Sequence, residues 1–266
     1  LIDTKIVGST LGEGALAAVG SVSILYNLLT GFFNGLTLGF SIVTARYFGA
    51  GDTEKLKKSV AGTILLGFVT AAILVIGVFV FLRPLLSIMH VPAEQKEMAY
   101  TYISILVLGM FVTLAYNMCA NVLRAIGDSM TPLIFLILAA VLNVILDYVC
   151  ILVFSMGVGG AAAATVISQV VSVALCVIHI KRHFPILQVE RRHFKLEKSE
   201  VRTMLSGGLS MGMMSSLVNL GTLILQTGIN TLGTSVIVAH TAARKVFEIW
   251  GLPVTVLGAT MATYSG

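Results

Sequence analysis

Charge is what this chain is short of. Asp, Glu, Lys and Arg together make up 11% of its 266 residues, against about 25% in an ordinary globular domain. A water-soluble helical fold needs a polar face on most of its helices. The runs free of those four residue types leave no room for one: 14–45, 59–82, 98–123, 148–180 and 203–243. Each exceeds the ~20 residues a helix needs to cross a bilayer. The ~10-residue alternating segments of a membrane β-barrel are missing as well. Cysteine is scarce, and Cys119, Cys150 and Cys176 all fall inside apolar runs. They read as packing residues, not as a disulfide framework or a metal site. An initiator Met and the basic n-region of a signal peptide are absent too. The chain opens inside one apolar segment and stops inside another, which makes a fragment of a longer protein the expectation.

What remains is a polytopic all-α membrane protein. Turn and charge punctuation divides it into eight spans. The first is a tail ending near Gly8. The others cover about 15–47, 56–86, 94–124, 130–154, 158–183 and 201–231, and the eighth begins near Ser235. The net charge of +5 does not point to nucleic acid, because the bases sit in a few loops. The loop after the second span carries Arg46, Lys55, Lys57 and Lys58, and that after the fourth carries Arg124. The loop after the sixth carries Lys181, Arg182, Arg191, Arg192, Lys195, Lys198 and Arg202, while the opposite loops hold only Lys5, Arg83 and Lys96. By the positive-inside rule, the loops after spans two, four and six face the cytoplasm. Residues 190–198 read as a solvated linker on that side.

Against this background one acid stands out. Asp147 is the only Asp, Glu, Lys or Arg between residues 129 and 180. A carboxylate at the centre of a membrane helix costs roughly 2.5–3.5 kcal/mol on insertion scales, so it is a functional candidate by default. Asn143 precedes it by one helical turn and shares its face. Other polar positions inside spans are Asn27, Asn34, Asn117, Asn121 and Gln226. They line a cavity or tie helices together. Gly31, Gly35 and Gly39 repeat at the spacing that lets helices approach closely. Gly208-Leu209-Ser210-Met211-Gly212 matches G-x-S-x-G, but that elbow needs a strand–turn–helix setting and an acid–histidine partnership. Here it lies in an apolar helix, and no enzyme activity is expected. Leu11-Gly12 with Ala18 is echoed by Leu232-Gly233 with Ala239, as in a transporter built from two repeated bundles.

The ordered set of short motifs resembles the multidrug and toxic compound extrusion (MATE) family over essentially the whole chain. The set comprises residues 3–8 (Asp3-Thr4-Lys5-Ile6-Val7-Gly8), Leu11-Gly12 and Ala15 to Gly20. It continues with Tyr47-Phe48-Gly49-Ala50-Gly51-Asp52, Arg124-Ala125-Ile126-Gly127-Asp128 with Pro132, Asn143-Val144-Ile145-Leu146-Asp147, and Gly157 to Ala162 with Thr165. The resemblance implies twelve helices in two six-helix lobes around a V-shaped cavity. It also implies export of small organic, often cationic, compounds in exchange for Na⁺ or H⁺, without a cofactor. On that pattern residues 1–184 form the first lobe with an incomplete first helix, 185–200 a cytoplasmic linker, and 201–266 the start of the second lobe. The full-length protein would be a monomer in the cytoplasmic membrane.

The detail looks most like the DinF-like prokaryotic branch, which places cation coupling on Asp3, Asn143, Asp147 and Thr165. Carboxylate, amide and hydroxyl oxygens are the ligands a hard cation wants. Another branch uses an acid in the seventh span; Asn219 and Gln226 stand there instead. A lipid-linked saccharide flippase on a related fold is the alternative. It calls for a strongly basic central cavity, and few Lys or Arg lie inside these spans.

Overall fold

The computed structural model describes residues 2–88 and 93–230, and between 250 and 261 all but 252, 255 and 259; the side chains of Asp3 and Gln226 are outside that description. The helices are α1 (Ile2–Leu11), α2 (Glu13–Gly49), α3 (Thr53–Ile88), α4 (Ala93–Ala125), α5 (Met130–Tyr148), α6 (Gly157–His183) and α7 (Lys198–Asn230). No strand occurs among the described residues. Five of these stretches, from α2 to α6, are long and apolar enough to cross a membrane. The expected eighth span, and the second copy of the Leu-Gly echo at Leu232-Gly233, fall outside the described residues. The fifth span departs from a plain helix. Its last turn, Val149–Val153, widens into a π-helix, and Phe154 N–H reaches back to Val149 O at 3.1 Å.

Two helix connections use one device. After α2, Gly51 takes φ 69°, and after α4, Gly127 takes φ 94°. In each the next residue's N–H closes a wide loop onto the helix just ended: Asp52 to Tyr47 O at 3.1 Å, and Asp128 to Leu123 O at 3.0 Å. This is the Schellman ending, which needs a left-handed residue that only glycine adopts cheaply. The aspartate then starts the next helix. Asp52 Oδ1 accepts from Lys55 N–H and Asp128 Oδ1 from Thr131 N–H, both at 3.0 Å. That backbone N–H of Lys55 holds the Asp52 carboxyl below its ordinary range. Asp128 also lies 3.6 Å from His179 Nε2, joining the start of α5 to the end of α6.

The largest core cluster runs through α2, α3 and α4, with Phe33, Leu36, Phe40, Leu82, Leu86, Ile103, Met110 and Leu114 fully enclosed. A second cluster gathers the ends of α2, α4 and α6, the start of α3 and the linker, around Leu56, Val60, Val122 and Leu187. The basic loops are therefore at one end of the bundle. Most of residues 190–198 are exposed, as a solvated linker is, but the segment is also docked on the bundle. His193 is fully buried, accepts the Glu190 N–H on Nδ1 at 2.9 Å, and points Nε2 at Glu54 of α3 at 3.5 Å. The imidazole's Nδ1 is satisfied within the linker itself, while Nε2 faces the Glu54 carboxylate without a hydrogen bond.

α7 lies along α2 at close range. A Cβ built on Gly39 would come 2.5 Å from Gly207 O, and one on Gly31 would come 2.5 Å from Asn219 Nδ2. Backbones meet this closely only where side chains are absent.

Candidate functional site

Asp147 is the described carboxylate with no exposure at all, in the last α-helical turn before the π segment. π segments open a helix locally and recur at functional sites. Gly160 on α6 packs closely against this widened turn. A Cβ there would lie 3.1 Å from Cys150 Cβ and 3.2 Å from Cys150 C. Its neighbours Gly159, Ala161 and Ala162 are buried as well. A small-residue start of α6 thus brings that helix onto the end of α5.

One turn before Asp147, Asn143 Nδ2 donates to Thr165 Oγ1 across α5 and α6 at 3.4 Å. The Thr165 hydroxyl spends its own proton on Ala161 O at 3.1 Å. Its oxygen therefore faces Asn143 as an acceptor. Helix α1 packs against both α5 and α6. So three of the four coupling residues expected from the sequence share one helix junction, and the helix that carries Asp3 lies against it.

The polar character continues along α6. Thr165, Ser168, Gln169 and Ser172 lie on one face. Ser168 and Ser172 are buried; Ser172 donates to Phe135 O at 3.2 Å, and Gln169 Oε1 accepts from Thr113 of α4 at 2.5 Å. Thr113 and Gln169 were missed by reading the sequence, although the i, i+3, i+4, i+7 spacing on α6 was a usable signal.

The other polar candidates are not gathered here. Asn121 is buried between α2 and α4: its Nδ2 donates to Thr37 Oγ1 at 2.9 Å and its Oδ1 accepts from Arg124 at 2.8 Å. That is helix-to-helix bonding. Asn27 and Asn34 are exposed on α2, and Asn117 is half-buried on α4. Asn219 sits in the α2–α7 seam and donates to Ser215 O at 2.9 Å.

Asp147, Asn143 and Thr165 carry carboxylate, amide and hydroxyl oxygens, the donor types that suit a hard cation rather than a soft metal, and Asn143 and Thr165 are joined to each other. No cluster of three or more His, Cys, Asp or Glu occurs among the described residues.

Comparison with known proteins bears on what such a junction serves. The MatE family model matches residues 1–149. "Probable multidrug resistance protein YoeA" of Bacillus subtilis (strain 168) is 28% identical over 272 residues, all of this chain and 59% of its own. "Probable multidrug resistance protein YpnP" of the same organism is 28% identical over 266 residues, again all of this chain and 59% of its own. A crystal structure of MATE in the bent conformation superposes with a TM-score of 0.89 at 25% identity, covering 99% of this chain and 59% of that one. This chain thus spans about 59% of the length of these relatives.

Proposed function

This chain belongs to the MatE family, and on that premise we propose that it is the larger part of a cation-coupled antiporter exporting small organic, often cationic, compounds. The likeness to proteins named for multidrug resistance supports the substrate class. The observation that supports the coupling is the fully buried Asp147, one turn from the Asn143–Thr165 hydrogen bond, on a helix that packs against both α1 and α6.

Two carboxylates near each other in low dielectric cannot both ionise freely. One keeps a proton, or a cation sits between them. With Asp3 on α1 and Asp147 on α5, arrival of Na⁺ or H⁺ would draw α1, α5 and α6 together, and its departure would loosen them. A cationic substrate that favours the loosened state would then compete with the ion for states of the first lobe, which is the requirement for exchange. Asn143 and Thr165 would supply neutral oxygens completing the shell. The surrounding partner is the lipid bilayer, with the basic loops on the cytoplasmic side.

The test is the full-length protein in everted vesicles, driven by a Na⁺ gradient or a pH gradient alone. Asp147→Asn should abolish gradient-driven drug efflux while the protein purifies and melts like the parent. Efflux at the parent rate by that variant would sink the assignment. Whichever gradient alone sustains transport identifies the ion.

A further inference from the structure

At the basic end of the bundle a cavity of about 470 Å³ opens between α3, α4, α6 and the linker. That volume is within the range of small-molecule sites. Its walls are apolar: Val60 and Ile64 of α3, Met118 and Val122 of α4, Val177 and Ile180 of α6. The linker roofs it with Leu187, Gln188 and Val189, and Gln188 Nε2 pins that roof by donating to Lys181 O at 2.8 Å. Lys181 is part of the lining. Lys57 lies one turn before Val60 on the same face of α3.

The charge at the mouth is one-sided. Among the described residues Lys57 and Lys181 enter no ion pair, whereas the nearby acids Glu54 and Glu190 are taken up by Arg192 at 3.9 and 3.0 Å. The lining is placed in the first turns of α3 and the last turns of α4 and α6. At 1.5 Å per residue this puts the cavity within roughly 15 Å of the helix ends, the depth at which headgroups give way to acyl chains.

We propose that this cavity binds one acyl chain of an anionic phospholipid, with the lipid phosphate held by Lys181 and Lys57. The chain fits the apolar walls, and the headgroup reaches bases that no acid among the described residues pairs with. The bound lipid would bridge α3 and α6 beneath the linker, so membrane composition would act on the linker's docking. The cavity is separate from the Asp147 junction and its occupancy does not depend on transport.

Cys119 lines the cavity and reports on it directly. The full-length protein is placed in nanodiscs of phosphatidylcholine alone or mixed with phosphatidylglycerol. Alkylation of Cys119 by N-ethylmaleimide is followed by peptide mass spectrometry, with buried Cys150 and Cys176 as internal references. Cys119 should react about tenfold more slowly with the anionic lipid present, the effect of two surface bases on an anionic headgroup. The Lys57→Gln/Lys181→Gln double variant should lose that protection. Equal rates in the two lipids overturn the proposal, and so does protection that persists in the double variant or comes from free fatty acid alone. Should the double variant not fold, the lipid comparison on the parent protein still decides.

Discussion

Thr165 lies 18 residues from Asp147 and 22 from Asn143, and only the α5–α6 hairpin's geometry brings it to Asn143. Asp147 itself could be found from the sequence, because an acid alone in a long apolar run is too costly to be incidental. Thr165 could not be separated from ordinary helix hydroxyls by sequence alone, since most of these bond only to their own backbone. Thr165 does that too, yet still offers its oxygen to Asn143. Thr165→Val keeps the shape and deletes that oxygen. With one neutral ligand worth about 1–1.5 kcal/mol, the cation concentration for half-maximal efflux should rise about five- to tenfold. Thr165→Ser should restore it, as titration of vesicle transport with the coupling ion would read. An unchanged half-maximal concentration in the Val variant would remove Thr165 from the ligand set.

Among elements, the α2–α7 seam shows what spacing alone conveys. Gly31, Gly35 and Gly39 signalled a close helix approach, but nothing in their pattern named α7 as the partner. The partner emerges because Gly207, Gly208 and Gly212 on α7 present bare backbone to the same face. Gly35→Ala would push its new methyl into the Met211 carbonyl and Ser215 Oγ, whereas Gly20, on the same helix, has open space around it. Thermal unfolding in detergent should therefore separate them. Gly35→Ala should destabilise by about 1–3 kcal/mol. Gly20→Ala should be neutral or stabilise by about 0.5–1 kcal/mol, since it only trades a flexible residue for a helix former. Matching melting curves for the two variants would mean that α7 does not rest on α2 at this distance. The π segment after Asp147 had no sequence signature at all. It packs against Gly160 of another helix, at Cys150.

For the whole molecule, the basic loops after α2, α4 and α6 converge on one end, tied there by the Leu56–Leu187 cluster and by the Glu54–His193 contact. On the proposed topology that end faces the cytoplasm. Cysteines introduced at Ala50 and Arg191 should then react with a membrane-impermeant maleimide only after cells are permeabilised. One at Phe154, exposed at the α5–α6 hairpin, should react from outside. The opposite labelling pattern would invert the topology.

Composition and periodicity by themselves determined that this is a polytopic helical membrane protein. Apolar runs of bilayer length and two glycine–aspartate turns specify helices and their ends through local energetics alone. They also singled out Asp147, because burial cost depends on the neighbouring sequence before any fold exists. Only the tertiary structure decided which polar residues meet. Asn121 was drawn into the α2–α4 interface, Thr165 was set against Asn143, and Thr113 was joined to Gln169. Those outcomes depend on which helix lies beside which. That choice is made by glycine and alanine faces on separate helices matching across space; one helix read singly can show such a face but not its partner.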